Sequence, residues 1–380
     1  MATTSATTTV RSAPPPSPVK TLADLQQARR ETLALVDPLG EEDLKRVHSP
    51  IMSPLVWDLG HIAAYEDLWL AHRHGGMPLL RPDLADLYDA FETPRAVRGE
   101  IDALGTAEAR SYLQEVRART VDVIAHQGVG DGFISEMVLR HELQHSETMR
   151  QTMAIAGLLS HGDQSAINRP LAELQSGEWV EVPAGQFQMG AGPETFAYDN
   201  ERPRHAVETA GFRIARHPVS CESWMRFAEG GSYEEREWWS AAGWGWKQER
   251  QIGPDPALTA MDPKAPACHI SWFEADAFAR AHGARLPSEA EWEKAATCGD
   301  ALDAIGRVWE WTDTPFHGYP GFVAYPYREY SEVFFGDGYR VLRGGSWATN
   351  PRVASLTFRN WDLPLRRQIF AGLRLASDAT

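Results

Sequence analysis

The hydrophobic pattern of the chain changes once, near position 160, and this change limits what the chain can fold into more than any other feature. Before it, apolar residues recur at helical spacing. One such stripe consists of Ala109, Leu113, Val116, Thr120 and Val123. After about position 178, short strand-like runs alternate with Gly and Pro. Since 380 residues are also too many for one ordinary core, we expect a helical domain followed by an α+β domain.

These patterns divide the chain into four regions. Residues 1–20 are rich in Thr, Ser, Ala and Pro, and we expect a disordered tail. Residues 21–160 carry four helical stripes and predict a four-helix bundle. Residues 161–177 are polar and predict a linker, and residues 178–380 predict a loop-rich α+β domain.

Charge and cysteine usage restrict the partners of the protein. The net charge of −15 argues against nucleic acid or an anionic membrane as the main partner. No apolar run approaches the ~18 residues of a membrane span. Cys221, Cys268 and Cys298 are widely spaced and suggest no disulfide framework. We therefore expect a cytoplasmic protein that binds neither nucleic acid nor membrane.

The strongest chemical signal is a pair of histidines in the fourth predicted helix. His141 and His145 are four residues apart, so they lie on one helical face, and that face otherwise points into the core. His61 in the second helix is also directed into the core. Buried imidazoles without partners would be costly, and a divalent metal removes that cost. Three neutral imidazoles leave part of the coordination shell open, which suits Fe(II) and also zinc.

The same string allows a different enzyme. His141-Glu142-Leu143-Gln144-His145 matches the HExxH pattern of zinc hydrolases, in which Glu142 would act as general base. A non-catalytic binding module is a further alternative, because a fold by itself does not determine function. The string by itself does not decide between them.

The second half contains aromatic segments that suit a methylated cation. Residues 320–330 and 358–367 are rich in aromatic and basic residues. The Trp361 ring lies between an amide and a carboxylate in sequence, Asn360 and Asp362. An indole face attracts a quaternary ammonium group through cation–π interaction. The alternative is that these groups form structural contacts of a loop-rich domain.

Three arginines suit a carboxylate-bearing substrate. Arg366 follows the aromatic segment, and Arg95 and Arg98 lie in the long connection between the second and third helices. Guanidinium groups pair with carboxylates through two parallel hydrogen bonds. The sequence therefore predicts a small substrate that carries both a carboxylate and an ammonium group.

Several strings carry a resemblance to known families. Residues 180–190, 285–293, 308–312 and 343–347 resemble a formylglycine-generating-enzyme-type domain with a C-type-lectin-like fold. The first 160 residues resemble a DinB-like four-helix bundle. This pair of domains, with the HELQH string, is similar to the ergothioneine-pathway sulfoxide synthases, and the resemblance covers nearly all of the chain after residue 20.

The resemblance implies an activity and a set of site residues. It implies an Fe(II)- and O2-dependent oxidoreductase that joins the sulfur of γ-glutamylcysteine, or cysteine, to hercynine (trimethyl-histidine) as a sulfoxide. A selenium donor is an alternative within the family. The implied metal ligands are His61, His141 and His145. The implied contacts to hercynine are Gln144, Tyr330, Asn360 and Trp361. The implied contacts to the thiol substrate are Arg95, Arg98, Asp362 and Arg366, and the implied catalytic residue is Tyr327.

Two departures from the formylglycine-generating pattern limit what can be transferred. The chain has no cysteine after Cys298, so the cysteine chemistry of those enzymes is not expected. Arg307 stands where an Asn is usual before the Val-Trp-Glu-Trp string. A structural Ca2+ ion, known in such domains, is therefore an open expectation here.

Overall fold

The computed structural model describes residues 16–171, 178–298 and 302–379. Most of the predicted tail, residues 1–15, and residues 172–177 of the predicted linker lie outside the described residues. Within the described ranges, no helix is both long enough and apolar enough to cross a membrane.

The first half forms the predicted helical bundle. Its four long helices are α1 (Pro18–Val36), α3 (Leu55–Glu66), α4 (Thr106–Gln127) and α5 (Phe133–Ala156), with a short α2 (Glu41–Lys45) after α1. The helix α3 continues as a π-helical segment, Asp67–His74, so the second predicted helix has its expected length but not a uniform winding. The connection from α3 to α4 contains only the 3-10 turns Pro82–Leu84 and Arg95–Val97.

The bundle core follows from the apolar stripes. Val116 and Met149 are fully buried where α4 and α5 meet the other helices, and Leu59 of α3 is buried with them. The region predicted as linker is not entirely irregular, because His161–Ile167 form α6. Ser160 begins this helix by accepting a hydrogen bond from the Asp163 backbone N–H.

Among its described residues, the second half forms three small sheets. Their strands are β1 (Trp179–Val182), β2 (Gly185–Met189), β3 (His205–Thr209), β4 (Phe212–Ala215), β5 (Trp309–Phe316), β6 (Gly336–Arg343), β7 (Asn360–Asp362), β8 (Ala371–Leu373) and β9 (Ala376–Asp378). The sheets have the orders β1-β4-β9, β2-β3 and β7-β6-β5-β8. In the largest sheet β5 and β8 are parallel, while the other pairs are antiparallel. The expected α+β class is confirmed.

Among the described residues, four α-helices accompany these sheets. They are α7 (Cys221–Glu229), α8 (Ala241–Arg250), α9 (Trp272–Ala281) and α10 (Glu289–Thr297). Both α9 and α10 begin with a capping box. In α9, the Ser271 side chain accepts from the Glu274 N–H, while the Glu274 side chain accepts from the Ser271 N–H.

The two halves are joined by polar contacts to α5. The buried carboxylate of Glu147 accepts hydrogen bonds from Trp309 Nε1 at 2.8 Å, Ser346 Oγ at 2.7 Å and Thr349 Oγ1 at 2.6 Å. Arg352 of the second domain pairs with Glu136 near the start of the same helix. The helix that carries two of the predicted metal ligands is therefore held by both domains.

Candidate functional site

The three predicted metal ligands converge. His61 comes from α3, while His141 and His145 come from α5, and their candidate ligand atoms all lie within 4.8 Å of one another. The Nε2 atoms of His61 and His141 are 3.1 Å apart. Two nitrogens that share one ion at about 2.1 Å each lie roughly 3 Å apart, so this spacing fits a single metal. Burial, followed by the nearby His145, holds the pKa of His61 and of His141 well below its ordinary value. Both rings are therefore neutral and suited to bind a cation.

The environment of His61 fixes which nitrogen it offers. Its Nδ1 lies 2.6 Å from the backbone carbonyl of Tyr88, and since a carbonyl only accepts, Nδ1 carries the proton. The lone pair is then on Nε2, which faces the other two histidines. Gly60 allows this approach, because a Cβ atom there would lie 2.1 Å from Cζ of the Tyr88 ring. Trp57 stacks on the other side of the imidazole with ring centroids 4.8 Å apart.

A buried carboxylate orients His145 in the same way. Asp58 of α3 has Oδ1 3.0 Å from His145 Nδ1, and the side chain of Asp58 is almost completely buried. This contact leaves the Nε2 atom of His145 free to bind a metal. Each of these two histidines thus has one nitrogen held by the protein and one offered to the site.

Glu142 is turned away from the histidines. Its carboxylate is buried and pairs with Arg29 Nε at 2.7 Å and with Arg117 Nη2 at 3.2 Å. Both arginines also pair with Glu66 of α3. Although burial raises the pKa of Glu66, Arg117 and Arg29 lower it to about 2. A carboxylate that is fixed in such a cluster is not placed to act as the general base of a zinc hydrolase.

Two tyrosines connect the metal ligands to the second domain. The ring of Tyr65 on α3 stacks on His141, with centroids 3.7 Å apart and planes at 10°. Its hydroxyl lies 3.2 Å from the hydroxyl of Tyr327. Burial raises the pKa of Tyr327 to about 12, so its phenol is protonated at neutral pH. The predicted catalytic residue Tyr327 therefore contacts Tyr65, which in turn contacts the predicted metal ligand His141.

The predicted contacts to the imidazole substrate form a second connection between the domains. Gln144 lies on α5 and accepts a hydrogen bond from Tyr198 at 3.0 Å through Oε1. Tyr330 stacks on Tyr198 with centroids 4.3 Å apart, and it meets the Trp361 ring edge-on at 5.9 Å. Trp361 and Asn360 lie on β7, next to each other and half-buried. Gln144, Tyr330 and Trp361 are thus connected through Tyr198 and through ring contacts, and Asn360 precedes Trp361 on β7.

Arg366 is the arginine best suited to an external anion. It is buried, and within the described part of the chain its Nε has no hydrogen-bond partner. The nearest carboxylate oxygen, Asp362 Oδ2, is 3.6 Å from this nitrogen. Burial lowers the pKa of Arg366 and so does the nearby Arg95, while Asp362 raises it. An anionic ligand would supply the missing acceptor.

Arg98 has a different environment from Arg366. Its guanidinium donates to the Thr93 carbonyl and Ser53 Oγ at 2.8 Å each, and to the Ala90 carbonyl at 3.2 Å. It also lies 3.6 Å above the ring of Trp57, which in turn stacks on His61. Arg98 therefore holds its loop against the metal-bearing helix, and its contact to a substrate stays a prediction. Arg95 is exposed in the same loop.

The sequence reasoning missed four residues of this site. They are Asp58, Tyr65, Tyr88 and Tyr198. Tyr65 could have been found, because it lies one helical turn after His61 on the same face. Tyr88 contacts His61 through its backbone carbonyl, and Tyr198 lies in a loop. Neither position could be predicted from the periodic spacing of residues in the sequence. The calcium site also stays a prediction. Arg307, which stands where an Asn is usual, donates a hydrogen bond to the Arg169 carbonyl.

Comparisons with known proteins agree with these domains. Residues 24–149 match the DinB superfamily, and residues 165–302 and 300–379 match the sulfatase-modifying factor enzyme 1-like domain. The hercynine oxygenase of Mycolicibacterium thermoresistibile is 39% identical over 93% of this chain and 94% of its own length. The hercynine oxygenases of Mycolicibacterium smegmatis and Mycobacterium tuberculosis are also 39% identical, over 94% and 95% of this chain and 99% of each relative.

The chain belongs to the hercynine oxygenase family. The predicted family, the fold class and the assignment as an oxidoreductase are thereby confirmed. A metal-dependent enzyme is also consistent with the three converging histidines. Membership and geometry both argue against the zinc-hydrolase alternative, because Glu142 is held by Arg29 and Arg117 in an ion-pair cluster.

Proposed function

We propose that this protein uses Fe(II) and O2 to join the sulfur of γ-glutamylcysteine to the imidazole ring of hercynine as a sulfoxide. The observation that carries the proposal is the histidine cluster, whose three ligand atoms lie within 4.8 Å of one another. Tyr65 connects this cluster to Tyr327 of the second domain. Its relatives named hercynine oxygenase support the same reaction.

His61, His141 and His145 would hold the iron. Once bound there, Fe(II) would supply the redox chemistry that activates O2 and a thiol together. In the balanced reaction, one oxygen atom ends in the sulfoxide and the other in water. The two protons of that water come from the thiol S–H and from the ring carbon between the two imidazole nitrogens.

The remaining side chains would bind and orient the two substrates. Gln144 and Asn360 offer amides to the imidazole, and the rings of Tyr330 and Trp361 suit its trimethylammonium group. Arg366 suits a carboxylate, because its buried Nε lacks an acceptor among the described residues. Arg95 and Arg98 add positive charge nearby.

The thiol substrate with two carboxylates and an amine fits this charge pattern better than cysteine does. Asp362 beside Arg366 would pair with the amine of the γ-glutamyl group. We also propose that the enzyme works in the cytoplasm, since its cysteines are free and Cys298 is an exposed thiol.

The direct test is a reconstitution. The metal-free protein is loaded with Fe(II) without oxygen, given hercynine and γ-glutamylcysteine, and then exposed to air. Mass spectrometry should detect the sulfoxide only when iron, both substrates and oxygen are all present. Zn(II)-loaded protein is the matched control. Absence of the sulfoxide with iron, or peptide hydrolysis with zinc, would overturn the proposal.

Tyr327 should control what the oxygen does. Its phenol can give a proton to reduced oxygen, which favours coupling of the sulfur to the ring. Tyr327→Phe removes only the hydroxyl, so oxygen should instead go twice to sulfur and give γ-glutamylcysteine sulfinic acid. Iron and substrate binding should stay as in the wild type. Tyr330→Phe should not change the product ratio in this way, and a shift with that variant alone would exchange the two roles.

A further inference from the structure

One face of α3 and its π-helical continuation carries three rings in a row. His61, Tyr65 and Trp69 are spaced by four residues, so successive turns present them toward the same side. Ring centroids are 6.4 Å apart between His61 and Tyr65 and 6.1 Å apart between Tyr65 and Trp69. A metal ligand, a phenol and an indole are therefore held by one piece of backbone.

The position of Tyr65 is fixed from two sides. Its ring stacks on the imidazole of His141, almost parallel and 3.7 Å away. Its backbone belongs to α3, four residues after His61. The ring thus contacts one predicted ligand in space and follows another in sequence. Any ion held by these histidines would keep Tyr65 in place.

Tyr327 has no such support from regular structure. Its backbone is extended and precedes only a short 3-10 turn, Arg328–Tyr330. Its ring packs against Trp69 with centroids 5.1 Å apart. Its hydroxyl lies 3.2 Å from that of Tyr65. The direction of the Tyr327 phenol therefore depends on the side chains of Tyr65 and Trp69.

We propose that Tyr65 is a positioning residue whose hydroxyl donates to Tyr327 and thereby turns the Tyr327 proton toward the three histidines. This inference rests on the proposed function. Only one proton can lie between the two hydroxyl oxygens. When Tyr65 supplies it, the proton of Tyr327 is free to be given to oxygen.

The same hydrogen bond helps after the proton has left. Tyr327 then carries a negative charge on its oxygen, and a hydrogen bond to a charged acceptor is about twice as strong as one to a neutral acceptor. Tyr65 would therefore stabilise the product of proton transfer more than its starting state. The O–H bond of Tyr327 breaks, its proton joins the oxygen that leaves as water, and the electrons of the bond stay on Tyr327. A proton released from the thiol or from the ring carbon then restores the Tyr327 O–H bond, so the two substrates remain the net source of the water protons.

The first test is Tyr65→Phe. Phenylalanine keeps the ring that stacks on His141, so Fe(II) affinity, measured by titration, should be unchanged. The share of γ-glutamylcysteine sulfinic acid should rise, but less than in Tyr327→Phe, because Tyr327 keeps its hydroxyl. Tyr112→Phe removes another buried phenol of the bundle core and is the control with the wild-type product ratio. A wild-type ratio in Tyr65→Phe would overturn the proposal.

A double variant separates positioning from an independent effect. If Tyr65 acts through Tyr327, then Tyr65→Phe combined with Tyr327→Phe should give the same product ratio as Tyr327→Phe alone. A further shift in the double variant would mean that Tyr65 acts on the reaction by another route, and the proposal would be wrong.

A third measurement needs neither metal nor turnover. With 3-fluorotyrosine placed at position 327, the fluorine NMR signal of the metal-free protein should move in Tyr65→Phe and not in Tyr112→Phe. An unmoved signal would overturn the contact and the proposal with it. If the wild type makes no sulfoxide, the proposed function fails, and this signal alone decides whether Tyr65 holds Tyr327.

Discussion

Two polar clusters lie in the bundle, and helices α3 and α5 contribute residues to both. The charge cluster consists of Arg29, Glu66, Arg117 and Glu142. The histidine cluster consists of His61, His141 and His145. In the charge cluster, each carboxylate pairs with two guanidinium groups of the protein. In the histidine cluster, Nδ1 of His61 and of His145 has a protein partner, while the ligand nitrogens face one another.

This difference shows how to distinguish buried polar side chains that stabilise the fold from those that are suited to bind a ligand. Glu142 and His141 are adjacent in sequence, yet Glu142 pairs with two arginines while His141 faces two other imidazoles. A closed network of ion pairs needs nothing from outside the protein. Three imidazoles whose nitrogens meet at ligand spacing are suited to bind a cation. The following predictions test this division.

The largest effect should come from the histidine cluster. Replacing His61, His141 or His145 by Ala should abolish sulfoxide formation and strongly lower iron content, because two ligands and one gap hold a metal poorly. Iron content is measured by elemental analysis of the purified variants. His126→Ala, an exposed histidine of α4, is the control. Full iron retention in all three single variants would remove the distinction between the clusters.

The charge cluster should respond in stability and not in chemistry. Glu142→Gln breaks a buried ion pair and leaves arginine charge uncompensated, at a cost of roughly 3–5 kcal/mol of unfolding free energy. Denaturant unfolding should record that loss, while sulfoxide formation per folded molecule stays close to the wild type. The exposed Glu115→Gln should change stability by no more than about 0.5 kcal/mol. Loss of activity with fold and iron intact would favour a zinc-hydrolase role for Glu142.

Arg366 extends the comparison to a buried cation whose Nε has no hydrogen-bond partner among the described residues. Arg366→Ala should raise the apparent KM for γ-glutamylcysteine by roughly 10- to 100-fold, since a charge-assisted hydrogen bond is worth about 1.5–3 kcal/mol. Steady-state kinetics with each substrate varied in turn should find a much smaller change for hercynine. Arg280→Ala, on the exposed face of α9, is the matched control. Equal weakening of both substrates would contradict a role specific to the thiol.

The last effect should come from Asp58, the buried carboxylate that contacts the histidine cluster. Asp58 pairs with His145 through Oδ1, while its buried Oδ2 has no partner among the described residues. Asp58→Asn should weaken Fe(II) binding by about 10- to 100-fold, as is common for carboxylates that orient a histidine ligand. Competition with a chelator measures this. Unchanged affinity would mean that the bundle alone orients His145.

The sequence predicted those parts of the molecule in which residues recur at helical spacing. The four bundle helices and the pair His141 and His145 follow from apolar spacing. His61 was identified because it lies on the core-directed face of the second predicted helix. Local spacing is sufficient for such features, since helix geometry converts it directly into a shared direction.

The rest depends on contacts between distant segments. Tyr65 meets Tyr327 across 262 positions of the chain, and Tyr198 meets Gln144 across 54 positions. The partner of Glu142 could not be read from the HExxH string, because Arg29 and Arg117 lie on two other helices. The hydrogen bonds of Arg98 could not be predicted either. One acceptor lies in its own irregular loop, which has no periodic pattern, and another is Ser53.

The division of the site between two domains also orders events on the ribosome. All three histidines have been synthesised once residue 145 has left the peptidyl transferase centre, whereas Arg366 comes more than 200 residues later. Domains form in that order during synthesis, at roughly 5–20 residues per second. The newborn chain therefore carries these three histidines for at least ~10 seconds before Arg366 exists. During that interval, a metal ion available in the cell would meet the three histidines without Tyr327, Trp361 and Arg366.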